Sequence, residues 1–185
     1  MRAKDIPNII SILRILLVAP VMYMLYEGEF AIALLLFFVA GVSDGLDGYL
    51  AKRYNWTSHL GSMLDPIADK LLLVGSYGVL AWIGIIPMWL VVTIIARDII
   101  IVVGSFSYYL LYGRYEMQPS NISKVNTFAQ IVLVLFVVSS YGLFEVSADV
   151  VTAGFYIVLL TTVLSGLDYI LIWGVKAWRN RFDRY

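Results

Sequence analysis

At 185 residues, 61% hydrophobic and 14% charged, the chain is long enough for one domain but carries more apolar surface than a soluble fold of that size can hide. A formal net charge of zero leaves no global field to attract nucleic acid, and the lack of cysteine excludes disulfides and thiolate metal sites. The solvent that suits this composition is a lipid bilayer.

Crossing the hydrocarbon as a helix takes about 20 mainly apolar residues, and six stretches qualify. The first, 9–26, follows Met1-Arg2-Ala3-Lys4-Asp5 with no small-residue cleavage site, so it reads as a retained span and not a signal peptide. It carries Arg14, which either snorkels to the headgroups or pairs with an intramembrane aspartate. Glu27-Gly28-Glu29 breaks the chain before the second stretch, 30–49, which holds Asp44 and Asp47 near its end. A polar run over 52–58, with His59 beside it as a solvated loop side chain, leads to the third stretch, 60–82, with Asp65, Asp69 and Lys70 near its start. After the break at 84–87, the fourth stretch, 88–112, carries Arg97 in mid-span, with Asp98 expected to pair locally. Lys124 opens the fifth, 125–144, and the sixth, 150–173, carries Asp168, for which no partner is apparent in the sequence. No alternation of apolar and polar residues suggests strands. The fold class predicted is all-α, a polytopic membrane protein with six transmembrane helices in one bundle, a single domain over 1–185.

Lysine and arginine orient the spans. Six crossings put both termini on the same side as the second-to-third and fourth-to-fifth connections. That side holds Arg2, Lys4, Lys52, Arg53, Arg114, Lys124 and the basic residues at 176–184, whereas the opposite connections carry Glu27, Glu29, Glu145 and Asp149 and no basic residue. The basic side is therefore expected to be cytoplasmic. Trp82, Trp89, Tyr112, Tyr141, Trp173 and Trp178 fall near span ends, as interfacial anchors do.

A charge inside the membrane costs at least about 2.5 kcal/mol on insertion scales and marks function by default. Asp44 and Asp47, spaced i, i+3, share a helix face, as do Asp65 and Asp69 at i, i+4. One pair ends a span and the other begins the next, so the four carboxylates are expected to meet just inside the cytoplasmic surface. They cannot all stay ionised there without cations. All-oxygen ligation suits hard divalent ions such as Mg2+ or Mn2+, which neutralise diphosphates and polarise leaving groups. One carboxylate at the edge of such a site is placed to take a proton from an attacking hydroxyl. The plainer reading makes the aspartates helix caps or partners of Lys52, Arg53 and Lys70; four at these spacings, flanked by Gly45, Gly48 and Gly61, favour the functional one.

The same residues carry a resemblance. Asp44, Asp47-Gly48, Ala51-Lys52, Gly61, Asp65 and Asp69 are similar to the signature of the CDP-alcohol phosphatidyltransferase family, departing only at Lys52, where the family has arginine. Lysine meets a diphosphate as a point charge but not bidentately. The resemblance implies that Asp44, Asp47 and Asp65 bind two divalent metals, that Asp69 contributes to them and acts as general base, and that Gly48, Ala51 and Gly61, with Lys52, line the nucleotide and diphosphate pocket. It implies attack of an alcohol hydroxyl on the β-phosphorus of CDP-diacylglycerol with loss of CMP, in an inner membrane of bacterial or mitochondrial type, and a homodimer as partner arrangement.

For the alcohol, Ile6-Pro7-Asn8-Ile9 with Arg14 resembles both the phosphatidylglycerophosphate synthase and the cardiolipin synthase branches. Arg97, Arg114 and Lys124 are the acceptor-side candidates. Eight residues beyond Arg97 stands Ser105, where the first branch typically carries a second arginine; a phosphate monoester needs more than one cationic partner. The segment 119–127 with Gln130 resembles the cardiolipin branch. Phosphatidylglycerol is thus the favoured acceptor and glycerol-3-phosphate the runner-up. A small cation or proton transporter is the rival from another class. Transport sites lie near mid-membrane on interrupted helices, often with repeated halves; here the carboxylates gather at one face and the halves look unrelated.

Overall fold

The computed structural model describes residues 6–54, 59–112 and 120–182, and among them every regular element is a helix. In chain order these are α1 (Ile6–Tyr26), α2 (Phe30–Tyr54), α3 (His59–Trp82), α4 (Met88–Tyr112), α5 (Asn121–Gly142) and α6 (Ala148–Phe182). All but α3 are long and apolar enough to cross a membrane; α3 has the length but spends its first turns on Asp65, Asp69 and Lys70. Large apolar side chains such as Leu16, Leu35, Phe38, Phe106, Phe128 and Leu171 face outward, the reverse of a soluble surface and the expected one in lipid. The all-helical, polytopic membrane class follows.

Sequence breakers set two of the helix ends. Gly28 and Gly84 take positive φ values of 79° and 80°, which L side chains avoid. Around Gly28, Glu29 N–H donates to the carbonyl of Met24 at 2.9 Å and Gly28 N–H to that of Leu25 at 3.3 Å. Around Gly84, Ile85 N–H reaches Leu80 at 2.9 Å and Gly84 N–H reaches Ala81 at 3.1 Å. Both are Schellman caps that satisfy the last carbonyls of α1 and α3. Several boundaries differ from the hydropathy reading, and α2 runs on to Tyr54. Helix α3 begins at His59, so that residue is not in a loop. Helix α5 begins at Asn121 because the Ser120 hydroxyl accepts from Ser123 N–H at 3.2 Å, an N-cap. Helix α6 runs on to Phe182, beyond its apolar stretch.

The chain divides into two compact units. In the first (1–86 with 134–146), α1 packs against both α2 and α3. Ala33, Ala40 and Asp47, spaced seven apart, form the buried stripe of α2; two alanines let a neighbour come close and the aspartate rides on the same face. On α1 the matching stripe is Ser11, Arg14, Val21 and Leu25. A Cβ on Gly75 of α3 would meet Met22 Sδ of α1 at 2.9 Å, which marks their close approach. The second unit (87–133 with 147–185) packs α4 against α6. Leu90, Ile94 and Arg97 on α4 and Phe155, Val158, Thr162 and Ser165 on α6 are its buried stripes.

Candidate functional site

The i, i+3 and i, i+4 spacings put each aspartate pair on one helix face, and α1 supplies what draws the pairs together. Arg14, whose side chain is 1% exposed, lies with Nη1 at 2.6 Å from Asp44 Oδ1 and 3.1 Å from Asp69 Oδ1, and with Nη2 at 2.5 Å from Asp47 Oδ2. Three carboxylates from α2 and α3 therefore share one guanidinium. One turn earlier on α1, the Ser11 hydroxyl donates to Asp65 Oδ1 at 2.6 Å and lies 3.5 Å from Asp47 Oδ2. The four aspartates singled out in the sequence thus gather around Ser11 and Arg14.

The cluster has a buried floor and an open rim. Asp47 is 3% exposed, whereas Asp44 and Asp69 are 48% and 58% exposed. An added Cβ at Gly45 or Gly48 would meet nothing within 4 Å, so there is room over α2 beside Asp44, which Gly48 follows by one turn. Among the described residues no three acidic groups form a ready-made cation cage; Arg14 stands between them. The donor set nevertheless suits a hard cation: each carboxylate meets Arg14 or Ser11 through a single oxygen, and a carboxylate so engaged can present its other oxygen to a metal.

Of the two readings of Arg14, pairing with intramembrane aspartates is the one observed. Ser11 was invisible in the sequence, since a serine in an apolar span reads as helix packing. The only available clue was its i, i+3 spacing from Arg14.

In the second unit, Arg97 is 7% exposed. Its Nε donates to Ser165 Oγ at 3.1 Å and its Nη1 to Asp98 Oδ1 at 3.0 Å, while Nη2 bonds the hydroxyls of Ser123 and Ser165. Asp98 does pair locally. The Ser105 hydroxyl bonds that of Tyr169. One turn from Ser123, wholly buried Asn126 accepts from Thr161 at 3.0 Å and Thr162 at 2.9 Å through Oδ1. Lys124 is exposed on the first turn of α5. Asp168 is half-buried with Oδ2 unpartnered, and nothing in the structure explains it. Arg114 lies outside the described residues; Ala51 and Lys52 sit on α2 and Gly61 on α3, with side chains outside the described set.

Comparison with known proteins gives this arrangement a context. The chain is 39% identical to human cardiolipin synthase (CMP-forming) over 145 residues, covering 70% of this chain and 48% of that protein. It is 31% identical to a probable phosphatidylglycerophosphate synthase of Mycobacterium tuberculosis over 176 residues, covering 91% and 81%. It is 32% identical to CDP-diacylglycerol–glycerol-3-phosphate 3-phosphatidyltransferase of Bacillus subtilis over 137 residues, covering 73% and 69%. The chain spans about half the length of its animal relatives. The CDP-alcohol phosphatidyltransferase profile matches residues 4–174, from before Arg14 to beyond Asp168, and the chain belongs to that family.

Proposed function

We propose that the chain is a phosphatidyltransferase that moves the phosphatidyl group of CDP-diacylglycerol to a glycerol-type alcohol and releases CMP. The observation that carries this reading is the gathering of Asp44, Asp47 and Asp69 on one buried guanidinium, with Asp65 beside them. Four carboxylates around one guanidinium are more negative charge than helix packing requires, and the cluster fits the family and the names of the relatives.

In this reading the single domain over 1–185 is inserted with its aspartates and both termini on the cytoplasmic side. Asp44, Asp47, Asp65 and Asp69 would hold two divalent ions, Mg2+ or Mn2+. When bound, these neutralise the donor diphosphate and stabilise CMP as a leaving group. Asp47, on the floor, fixes the position of the charge. Asp69, on the rim, accepts the proton of the acceptor hydroxyl. That oxygen forms a bond to the β-phosphorus, and the bond from this phosphorus to the oxygen bridging towards the cytidine breaks. The space over Gly45 and Gly48 receives the nucleotide, with Ala51, Lys52 and Gly61 as its further lining. The acyl chains remain in lipid against the outward-facing apolar side chains.

Phosphatidylglycerol is the proposed acceptor and cardiolipin the product. Ser105, bonded to Tyr169, supplies no second cation for a phosphate monoester, and a relative at 39% identity is named cardiolipin synthase (CMP-forming). Glycerol-3-phosphate is a second reading: buried Arg97 with Lys124 and Arg114 would hold its phosphate, and two relatives carry that activity in their names. For Arg97 the phosphate would have to displace Ser123, Ser165 or Asp98. Purified protein given CDP-diacylglycerol, Mn2+ and either labelled acceptor decides between them. Label entering cardiolipin supports the first reading, and label entering phosphatidylglycerophosphate replaces it with the second.

A further inference from the structure

We propose that Arg14 is the site's built-in counter-cation: it holds Asp44, Asp47 and Asp69 together before metal arrives and weakens metal binding by competing for the same carboxylates. This inference rests on the metal-site reading above and adds a positioning residue to it. Four carboxylates and one guanidinium sum to a formal charge of −3, so Arg14 offsets only part of the charge and the cluster still calls for more cation. Arg14 nevertheless takes an oxygen from Asp44, from Asp47 and from Asp69, and its own positive charge repels a dication brought onto them.

Location separates the two cations. Arg14 approaches from the buried side, beside Asp47, while Asp44 and Asp69 stand on the open rim where a metal and a nucleotide would enter. Its Nε is buried without a hydrogen-bond partner, so the guanidinium is under-satisfied where it stands and has less to lose on shifting. The aspartates do not depend on Arg14 alone for their places. Asp47 continues the Ala33–Ala40 stripe of α2, and Asp65 is tied to Ser11. Removing the charge should therefore leave the ligands near one another, and the loss of repulsion should outweigh the loss of preassembly.

The test uses the full-length protein in detergent and measures Mn2+ binding from the free-ion paramagnetic resonance signal. Melting temperature is recorded in EDTA and at saturating Mn2+. Arg14→Gln is expected to bind Mn2+ on the order of tenfold more tightly than wild type, to melt lower in EDTA, and to recover most of that loss with Mn2+. Arg14→Lys keeps the charge and is expected to bind Mn2+ within about threefold of wild type. Equal or weaker Mn2+ binding by Arg14→Gln overturns the inference, as does a melting deficit of the same size with and without metal, the mark of a purely structural arginine. Wild type that binds no Mn2+ overturns both this inference and the metal-site reading, which separates the two failures. If Arg14→Gln does not fold, the wild type decides. The Arg14 Nε–H resonance, identified by its disappearance in Arg14→Lys, should move when Mg2+ is added, and a stationary resonance rejects competition.

Discussion

Asp47 and Asp69 carry the same functional group in opposite surroundings. Asp47 is enclosed and bonded to a guanidinium that is itself enclosed, so removing it leaves Arg14 with one partner fewer in a dry place. Loss of one member of a buried ion pair costs about 3 kcal/mol. Asp47→Ala should accordingly lower the melting temperature as well as abolish turnover. Asp69 stands more than half exposed, and Asp69→Asn should leave the melting temperature close to wild type while activity falls by at least about a hundredfold, the size of a general-base contribution. Thermal denaturation beside a CMP-release assay separates the two effects; a stable, active Asp69→Asn would remove Asp69 as the base. The four aspartates were legible because intramembrane charge is expensive and their spacing is helical. Ser11 was not, since a hydroxyl inside a span carries no such cost, and Arg14 was ambiguous until a partner could be seen.

The helices show which breaks a hydropathy reading detects. Gly28 and Gly84 are legible because a positive φ demands glycine. The start of α5 is not, since Asn121 and Ser123 look like loop residues until Ser120 caps them. Glycines within the helices divide in the same way by what surrounds them. At the end of α5, a Cβ on Gly142 would stand 2.9 Å from Ala31 N and 3.0 Å from Phe30 C, beside the tilted pair of Phe30 and Tyr141 rings at 5.4 Å. Backbone cannot yield as a side-chain tip can, so Gly142→Ala should destabilise by about 1–3 kcal/mol. Gly78→Ala meets open space and should be neutral or slightly stabilising. Melting temperatures of the two variants check the contrast, and equal values would mean that α5 does not approach the start of α2 this closely.

Among the described residues many large apolar side chains face outward, and buried charge gathers around Arg14 in one unit and around Arg97 in the other. The proposed orientation follows from the basic residues and is open to labelling, because the chain contains no cysteine. A single cysteine at Glu145, exposed between α5 and α6, should react in intact cells with a membrane-impermeant maleimide; protection there, with labelling only after lysis, would invert the orientation. What the molecule does with the Arg14 cluster is tested most directly by incubating the purified protein with CDP-diacylglycerol and phosphatidylglycerol, with Mn2+ or with EDTA, and measuring CMP. Release of CMP in step with cardiolipin, present only with the divalent ion and lost in Asp69→Asn, is the expected result. CMP release that continues in EDTA, or none under any condition with either acceptor, would contradict a metal-dependent phosphatidyl transfer at these aspartates.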